Sequence, residues 1–196
     1  MKYVAWRHYV KARLFEALRR PERAIAEYRQ ALRHDPGSPD SAHALAYRLA
    51  ERGEHAEARA LLRQVLEREP SNAGAWFNHG FLCERQGDAA AAIEAFGRAV
   101  ELDPRLDRAW YGLGLAHAAL HRDAEAARAL ERAVKLKPMN GHAWYALGMA
   151  YHRLHEADKV EGIVRHLDRF DRHAARRLIT DAERSDLAHV VADLQV

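Results

Sequence analysis

One cysteine, Cys83, stands in 196 residues. A single thiol excludes an intrachain disulfide framework and a cysteine-built zinc site. No apolar run approaches the roughly 18 residues that a membrane span requires. The first residues, Met1-Lys-Tyr-Val-Ala-Trp-Arg-His, carry charge every few positions and lack the apolar core of a signal peptide. A cytoplasmic protein, without a membrane partner, is the expectation. Charge of one sign is also missing. With 31 basic and 28 acidic residues the net charge is +3, and the signs are interspersed, so the basic pI gives no argument for nucleic acid. There is no phosphate loop, nucleophile elbow, zinc-protease helix motif or glycine-rich dinucleotide fingerprint. The expectation is a protein that is not an enzyme and needs no cofactor.

What the chain has is a period. Pro36, Pro70, Pro104 and Pro138 stand 34 residues apart without a slip. The stretch Asp107–Pro138 carries Trp110, Leu113, Gly114, His117, Ala126, Leu130 and Ala133 before its proline. One period earlier stand Trp76, Gly80, Cys83, Ala92, Phe96, Ala99 and Pro104; one period later, Trp144, Leu147, Gly148 and Tyr151. A fixed period of this length means stacked supersecondary units. Each is too small to bury its apolar face alone, and stacking neighbours builds one continuous core.

The pattern Trp-x2-Leu-Gly-x2-aromatic … Ala … Phe … Ala … Pro resembles the tetratricopeptide repeat, over roughly residues 5–171. The resemblance implies an all-α fold: a right-handed superhelical solenoid of about five helix–turn–helix repeats, at about 5–38, 39–72, 73–106, 107–140 and 141–171. Residues 172–196 read as a C-terminal capping segment. Within a repeat, Trp and Leu are expected to fill the space between helices. Gly80, Gly114 and Gly148 are expected to admit the paired helix, with Ala92 and Ala126 as small counterparts.

Local signals divide the chain accordingly. Residues 3–18 read as the first helix, with His8 where Trp would stand. Arg19-Arg20-Pro21 is a turn, and Ala24, Tyr28 and Ala31 form the stripe of the second helix. Ser38 is the expected N-cap of the next helix, with Pro39 at its first position. Further turns fall at Gly53, Gly87-Asp88, His121-Arg122-Asp123 and His155-Glu156. In the second half of repeat five Val160, Val164 and Leu167 replace small residues and Arg172 replaces proline, so that helix is expected to run longer. Short helices are expected at 172–179 and 182–194. Thr180 and Glu183 would form a capping box for the last, and Leu187, Val190, Val191 and Leu194 its apolar face.

The first helices carry a second stripe one residue round from the packing face, about 100° away on a helix. It comprises Tyr9 and Arg13, His43 and Tyr47, Phe77 and Phe81, Tyr111 with Leu115, and Tyr145 and Met149. The resemblance implies that these positions line the concave groove, where an extended peptide or a partner helix lies. The function it implies is a non-catalytic scaffold or adaptor that binds protein or peptide. A self-assembling homo-oligomer is the alternative, and filling of the stripe by the chain's own C-terminal segment stays open. Family members that clamp two carboxylates need Lys and Asn, then Asn, then Lys and Arg. This chain offers His43, Tyr47, Asn78, Arg108 and Gly112, of which only Asn78 and Arg108 match. The clamp is disfavoured, and Asn78 and Arg108 are kept as groups that could hold a peptide's backbone and carboxylates. The pairs His117/His121 and His152/His155 have chelating spacing but read as ordinary core or solvated histidines, so no metal is expected. Arg165, Arg169, Arg172, Arg176 and Arg177 could track phosphates. Asp168 and Asp171 interrupt them, and nucleic acid is disfavoured.

Overall fold

The computed structural model describes residues 2–191. Among them the backbone forms eleven α-helices and one 3₁₀ segment, with no strand. The helices are α1 (Lys2–Ala17), α2 (Pro21–His34), α3 (Pro39–Arg52), α4 (His55–Arg68), α5 (Ala73–Arg85), α6 (Ala89–Leu102), α7 (Asp107–Ala119), α8 (Asp123–Leu136), α9 (Gly141–Arg153), α10 (Ala157–Asp168) and α11 (Arg172–Asp181), followed by the 3₁₀ segment Ser185–Val190. Odd-numbered helices up to α9 are the first helices of the repeats and even-numbered ones the second.

Caps recur with the period. Ser38, Asn72 and Asn140 each accept a hydrogen bond from the backbone N–H three residues on, opening α3, α5 and α9 and satisfying one of the orphan donors of a helix start. Leu106 stands at the fourth such position and makes no side-chain cap. The turns inside the repeats recur as well. Arg19, Gly53, Gly87, His121 and His155 all have positive φ, between 54° and 85°. This left-handed residue ends a helix by turning the chain, and it lies once in every 34 residues.

The tryptophans are less buried than expected, although Trp110 and Trp144 do pack against the core. Trp76, Trp110 and Trp144 are only half-buried. Each indole N–H donates to the carbonyl of the proline six residues earlier: Pro70 at 2.9 Å, Pro104 at 3.0 Å and Pro138 at 2.7 Å. The two most regular residues of the period are thus bonded to each other, fixing each first helix to the loop before it. His8 replaces the indole with a 2.6 Å contact from Nδ1 to Glu27.

By packing, the chain forms two compact units, Met1–Gln86 and Gly87–Val196. In the first, neighbouring helices from α1 to α5 pack in sequence around Ala12, Ala24, Tyr28, Leu45, Leu49 and Leu62, all fully buried. In the second, α6 to α10 pack in sequence, and α11 lies against both α9 and α10. Leu130, Val164, Leu167 and Leu178 form its centre. A Cβ at Gly114 would lie 2.5 Å from Leu130 Cγ and 3.3 Å from the Ala126 carbonyl oxygen, so α7 and α8 approach as the glycine predicts. At Gly148 the close neighbour is Leu178 of α11.

The C-terminal segment departs from expectation. α10 stops at Asp168 instead of running on, because Asp171 accepts from the Ala174 N–H and opens a new helix. The capping box is absent: Thr180 lies inside α11 with its hydroxyl donating to the Arg176 carbonyl at 3.1 Å, and Glu183 has φ 53°. In place of an α-helix from 182, the chain forms the 3₁₀ segment, packed on α10 and α11, with Leu187 and Val191 buried. Leu194 lies outside the described residues.

Candidate functional site

The second stripe starts from helix geometry. On α5, Gly80 and Cys83 are buried, and Phe77 and Phe81 are half-buried. On α3, Leu45, Ala46 and Leu49 are buried, and His43 and Tyr47 are half-buried. The stripe therefore keeps part of its apolar surface in solvent.

In the first unit Tyr9 packs against Tyr28 of α2, with ring centroids 5.8 Å apart and planes inclined at 54°. Arg13 is exposed, 3.5 Å from Glu16. The His43 ring lies against the start of α5, where a Cβ on Gly74 would come 2.9 Å from its Cε1. Burial holds the His43 pKa below the ordinary histidine value, with Asp40 and Glu69 opposing, because a low dielectric disfavours the charged ring. The Arg48 guanidinium stands 4.8 Å from the centre of the Tyr47 ring. It is held there by Glu16 at 2.7 Å and Glu51 at 2.6 Å, which ties α3 to α1. Asn78 is 6% exposed, one of two buried polar residues among those described. It offers far less surface than a rim group would.

In the second unit Arg108 is exposed, and Tyr111, Tyr145 and Met149 are half-buried against the core. Tyr145 has a partner that the sequence did not reveal. Its hydroxyl donates to Asp181 of α11 at 2.5 Å, and Arg177 of α11 stands 4.4 Å from its ring centroid. Burial, then the bond to Asp181, raises the phenol pKa. Arg177 and Asp181 pair with each other at 3.3 Å. The C-terminal helix thus covers the last aromatic of the stripe.

Other candidate chemistry finds different surroundings. His117 is half-buried, and burial lowers its pKa, while His121 and His155 are the left-handed residues of their turns. Among the described residues no group of three or more His, Cys, Asp or Glu is placed to hold a metal ion. The basic run is split between α10 and α11 and engaged: Arg165 pairs with Glu161 within α10 at 2.7 Å, and Arg172 of α11 pairs with Asp168 of α10 at 2.9 Å. No described helix is long and apolar enough to cross a membrane. A second concavity, lined by none of the stripe residues, lies between α8, α9 and α10.

Comparison with known proteins agrees with this architecture. Family models described as tetratricopeptide repeat match residues 5–48, 43–107, 83–134 and 111–159. A search of curated proteins finds no match. Among solved structures, PilF of Pseudomonas aeruginosa is 20% identical with a TM-score of 0.80, over 96% of this chain and 89% of that one. MamA of Desulfovibrio magneticus RS-1 is 22% identical with a TM-score of 0.72, over 92% and 96%. YrrB, a TPR protein with an unusual peptide-binding site, is 19% identical with a TM-score of 0.72, over 88% and 90%. At these identities the likeness is one of fold. With the family models covering most of the chain, and with the period, turns and helix pairs described above, the chain belongs to the tetratricopeptide-repeat family.

Proposed function

We propose that the chain is a non-catalytic scaffold or adaptor of the cytoplasm that holds a protein or peptide ligand against the second stripe of its first helices. The observation that carries this reading is the half-burial of His43, Tyr47, Phe77 and Phe81. They stand on α3 and α5, which touch each other within the first unit. Partly exposed aromatics on adjoining helices are where binding energy concentrates once a partner removes the water. In this reading Tyr47, Phe77 and Phe81 are the anchors, and Tyr9 and His43 extend the apolar track. Arg13 supplies charge at the edge, and Asn78 supplies a polar group. Tyr111, Met149 and Arg108 serve similarly in the second unit, where α11 occupies Tyr145. That YrrB has a peptide-binding site of an unusual kind is consistent with peptide as the ligand class.

The test is capture of partners from native lysate with two double variants. Tyr47→Ala with Phe81→Ala is expected to stay within a few degrees of the wild-type melting temperature and to lose capture. A central aromatic anchor typically contributes about 2 kcal/mol or more to binding. Arg165→Ala with Arg169→Ala is expected to retain capture. Loss in the arginine pair alone would move the site to the basic helices and make an acidic partner or nucleic acid the better reading.

A second reading, self-assembly, has its own observation. Tyr3, Trp6, Val10, Leu14 and Leu18 form an exposed apolar ridge along α1 and the residue after it.

A further inference from the structure

Between α8, α9 and α10 the second unit holds a cleft of about 650 Å³, within the range of roughly 300–1,000 Å³ that ligand sites occupy. Its apolar lining is Val134 from α8, Trp144 and Leu147 from α9, and Ile163 from α10. The walls are fixed in advance. The Trp144 indole is tied to the Pro138 carbonyl at 2.7 Å, and its ring lies 4.4 Å from that of His166. Preformed walls spare a ligand the cost of ordering them.

One position in the cleft lining carries no side chain. Gly162 lies inside α10 and lines it. One period earlier the position is Arg128, and two periods earlier Glu94, both exposed. Glycine is the poorest helix former after proline, and nothing in the fold calls for it here. A Cβ at Gly162 would meet no atom within 4 Å. Its bareness leaves that part of the lining open.

Charge says what fits. Lys135 and Lys159 line the cleft and are exposed. Lys135 forms no ion pair among the described residues, and Lys159 sits 4.6 Å from the Tyr151 ring centroid and 3.5 Å from Glu156. The one carboxylate in the lining, Glu131, is engaged by the Tyr151 hydroxyl. The combination is an apolar trough whose lining carries two ammonium groups against one carboxylate.

We propose that this cleft is a second docking site, separate from the aromatic stripe, for a short segment of a partner protein. That segment presents two bulky apolar side chains three or four residues apart, with an aspartate or glutamate next to them. The apolar pair enters beside Trp144, over Gly162, and the carboxylate meets Lys135 and Lys159. A protein segment is the occupant because the cleft lies across α8 and α10, the second helices of successive repeats, and sets an apolar wall beside flanking ammonium groups.

The experiment selects a displayed random-peptide library on the full chain and synthesises the recovered sequences. The expected consensus is an apolar pair with an adjacent acid. By fluorescence anisotropy, Gly162→Leu is expected to weaken binding at least tenfold by filling the space, while melting at or above the wild-type temperature. Lys135→Glu with Lys159→Glu is expected to weaken it at least fivefold, which keeps the proposal testable should the leucine variant fold poorly. Tyr47→Ala with Phe81→Ala is expected to leave it unchanged. The proposal is overturned by peptides that bind Gly162→Leu as well as wild type, by a consensus without an acid, by loss of binding in the stripe variant, or by a library that yields no binder. The first unit's stripe is read out separately, so either site can fail while the other stands.

Discussion

At the residue scale the five turn positions pose a simple question of backbone cost. Arg19, Gly53, Gly87, His121 and His155 share one left-handed conformation. A non-glycine residue there carries about 1–2 kcal/mol of strain, partly offset by the larger entropy that glycine loses on folding, about 0.5–1 kcal/mol. His121→Gly is therefore expected to stabilise the protein by about 0.5–1 kcal/mol, and His155→Gly by a similar amount. For a chain of this size that is about 1–4 °C in a thermal melt. Gly53→Ala is expected to do the reverse, losing about 1 kcal/mol. A melt in which either histidine variant falls below wild type would show that these imidazoles make contacts worth more than the strain. The turns themselves were legible in the sequence, since Gly53 and Gly87 mark two of them and the period carries the rest. The tryptophan bonds were not. Their acceptors are loop carbonyls, which have no signature in a sequence, so Trp110 read as core when it is a half-buried brace.

At the element scale two glycines inside helices separate packing from vacancy. A Cβ on Gly112 of α7 would come within 2.6–2.9 Å of three ring atoms of Phe96, and that ring is itself 1% exposed. Gly112→Ala gains up to about 1 kcal/mol of helix propensity but forces a buried ring aside, at about 1–3 kcal/mol. Net destabilisation of about 1–2 kcal/mol in denaturant melts is expected. Gly162→Ala on α10 meets open space and is expected to stabilise by up to about 1 kcal/mol. Equal effects of the two substitutions would contradict the packing of α6 against α7. Helix boundaries were largely readable because Ser38 and Pro39 are start signals with a mechanism. The capping box was misread for a physical reason. Thr180 and Glu183 have the right spacing, but a threonine near a helix end can bond back to the carbonyl four residues earlier, as it does here with Arg176. That spacing alone cannot distinguish the two ends of a helix. The half-burial of the stripe was readable from its offset, whereas the contact on Tyr145 comes from Asp181, 36 residues away, and the cleft is lined from three helices, which no single stretch of sequence announces.

At the scale of the whole molecule, the outer ridge of α1 is the surface on which self-association can be tested. The inner face of this helix carries Ala5 and Ala12, both buried. About half a turn of the helical wheel away, Tyr3 and Trp6 are 69% and 58% exposed, with Val10, Leu14 and Leu18 continuing the line. The repeat period allows a direct comparison. Two, three and four periods after Leu14 stand Leu82 of α5, Ala116 of α7 and Ala150 of α9, and all three are buried. An apolar ridge of this kind invites association. Lys2, Arg7, Lys11 and Arg13 lie along the same helix, however, and two copies meeting ridge to ridge would bring these like charges together. Salt screens such repulsion over a Debye length of about 10 Å at 0.1 M. If the chain self-assembles through α1, sedimentation velocity is expected to show the associated fraction rising with ionic strength as well as with concentration. Trp6→Glu with Leu14→Glu is expected to abolish it without lowering the melting temperature, because both side chains are exposed. Association that weakens as salt rises, or that survives the double variant, would place the contact elsewhere. A monomer at every salt concentration would leave the ridge to a partner of another kind, whose acidic residues could meet the basic flanks that keep two copies apart.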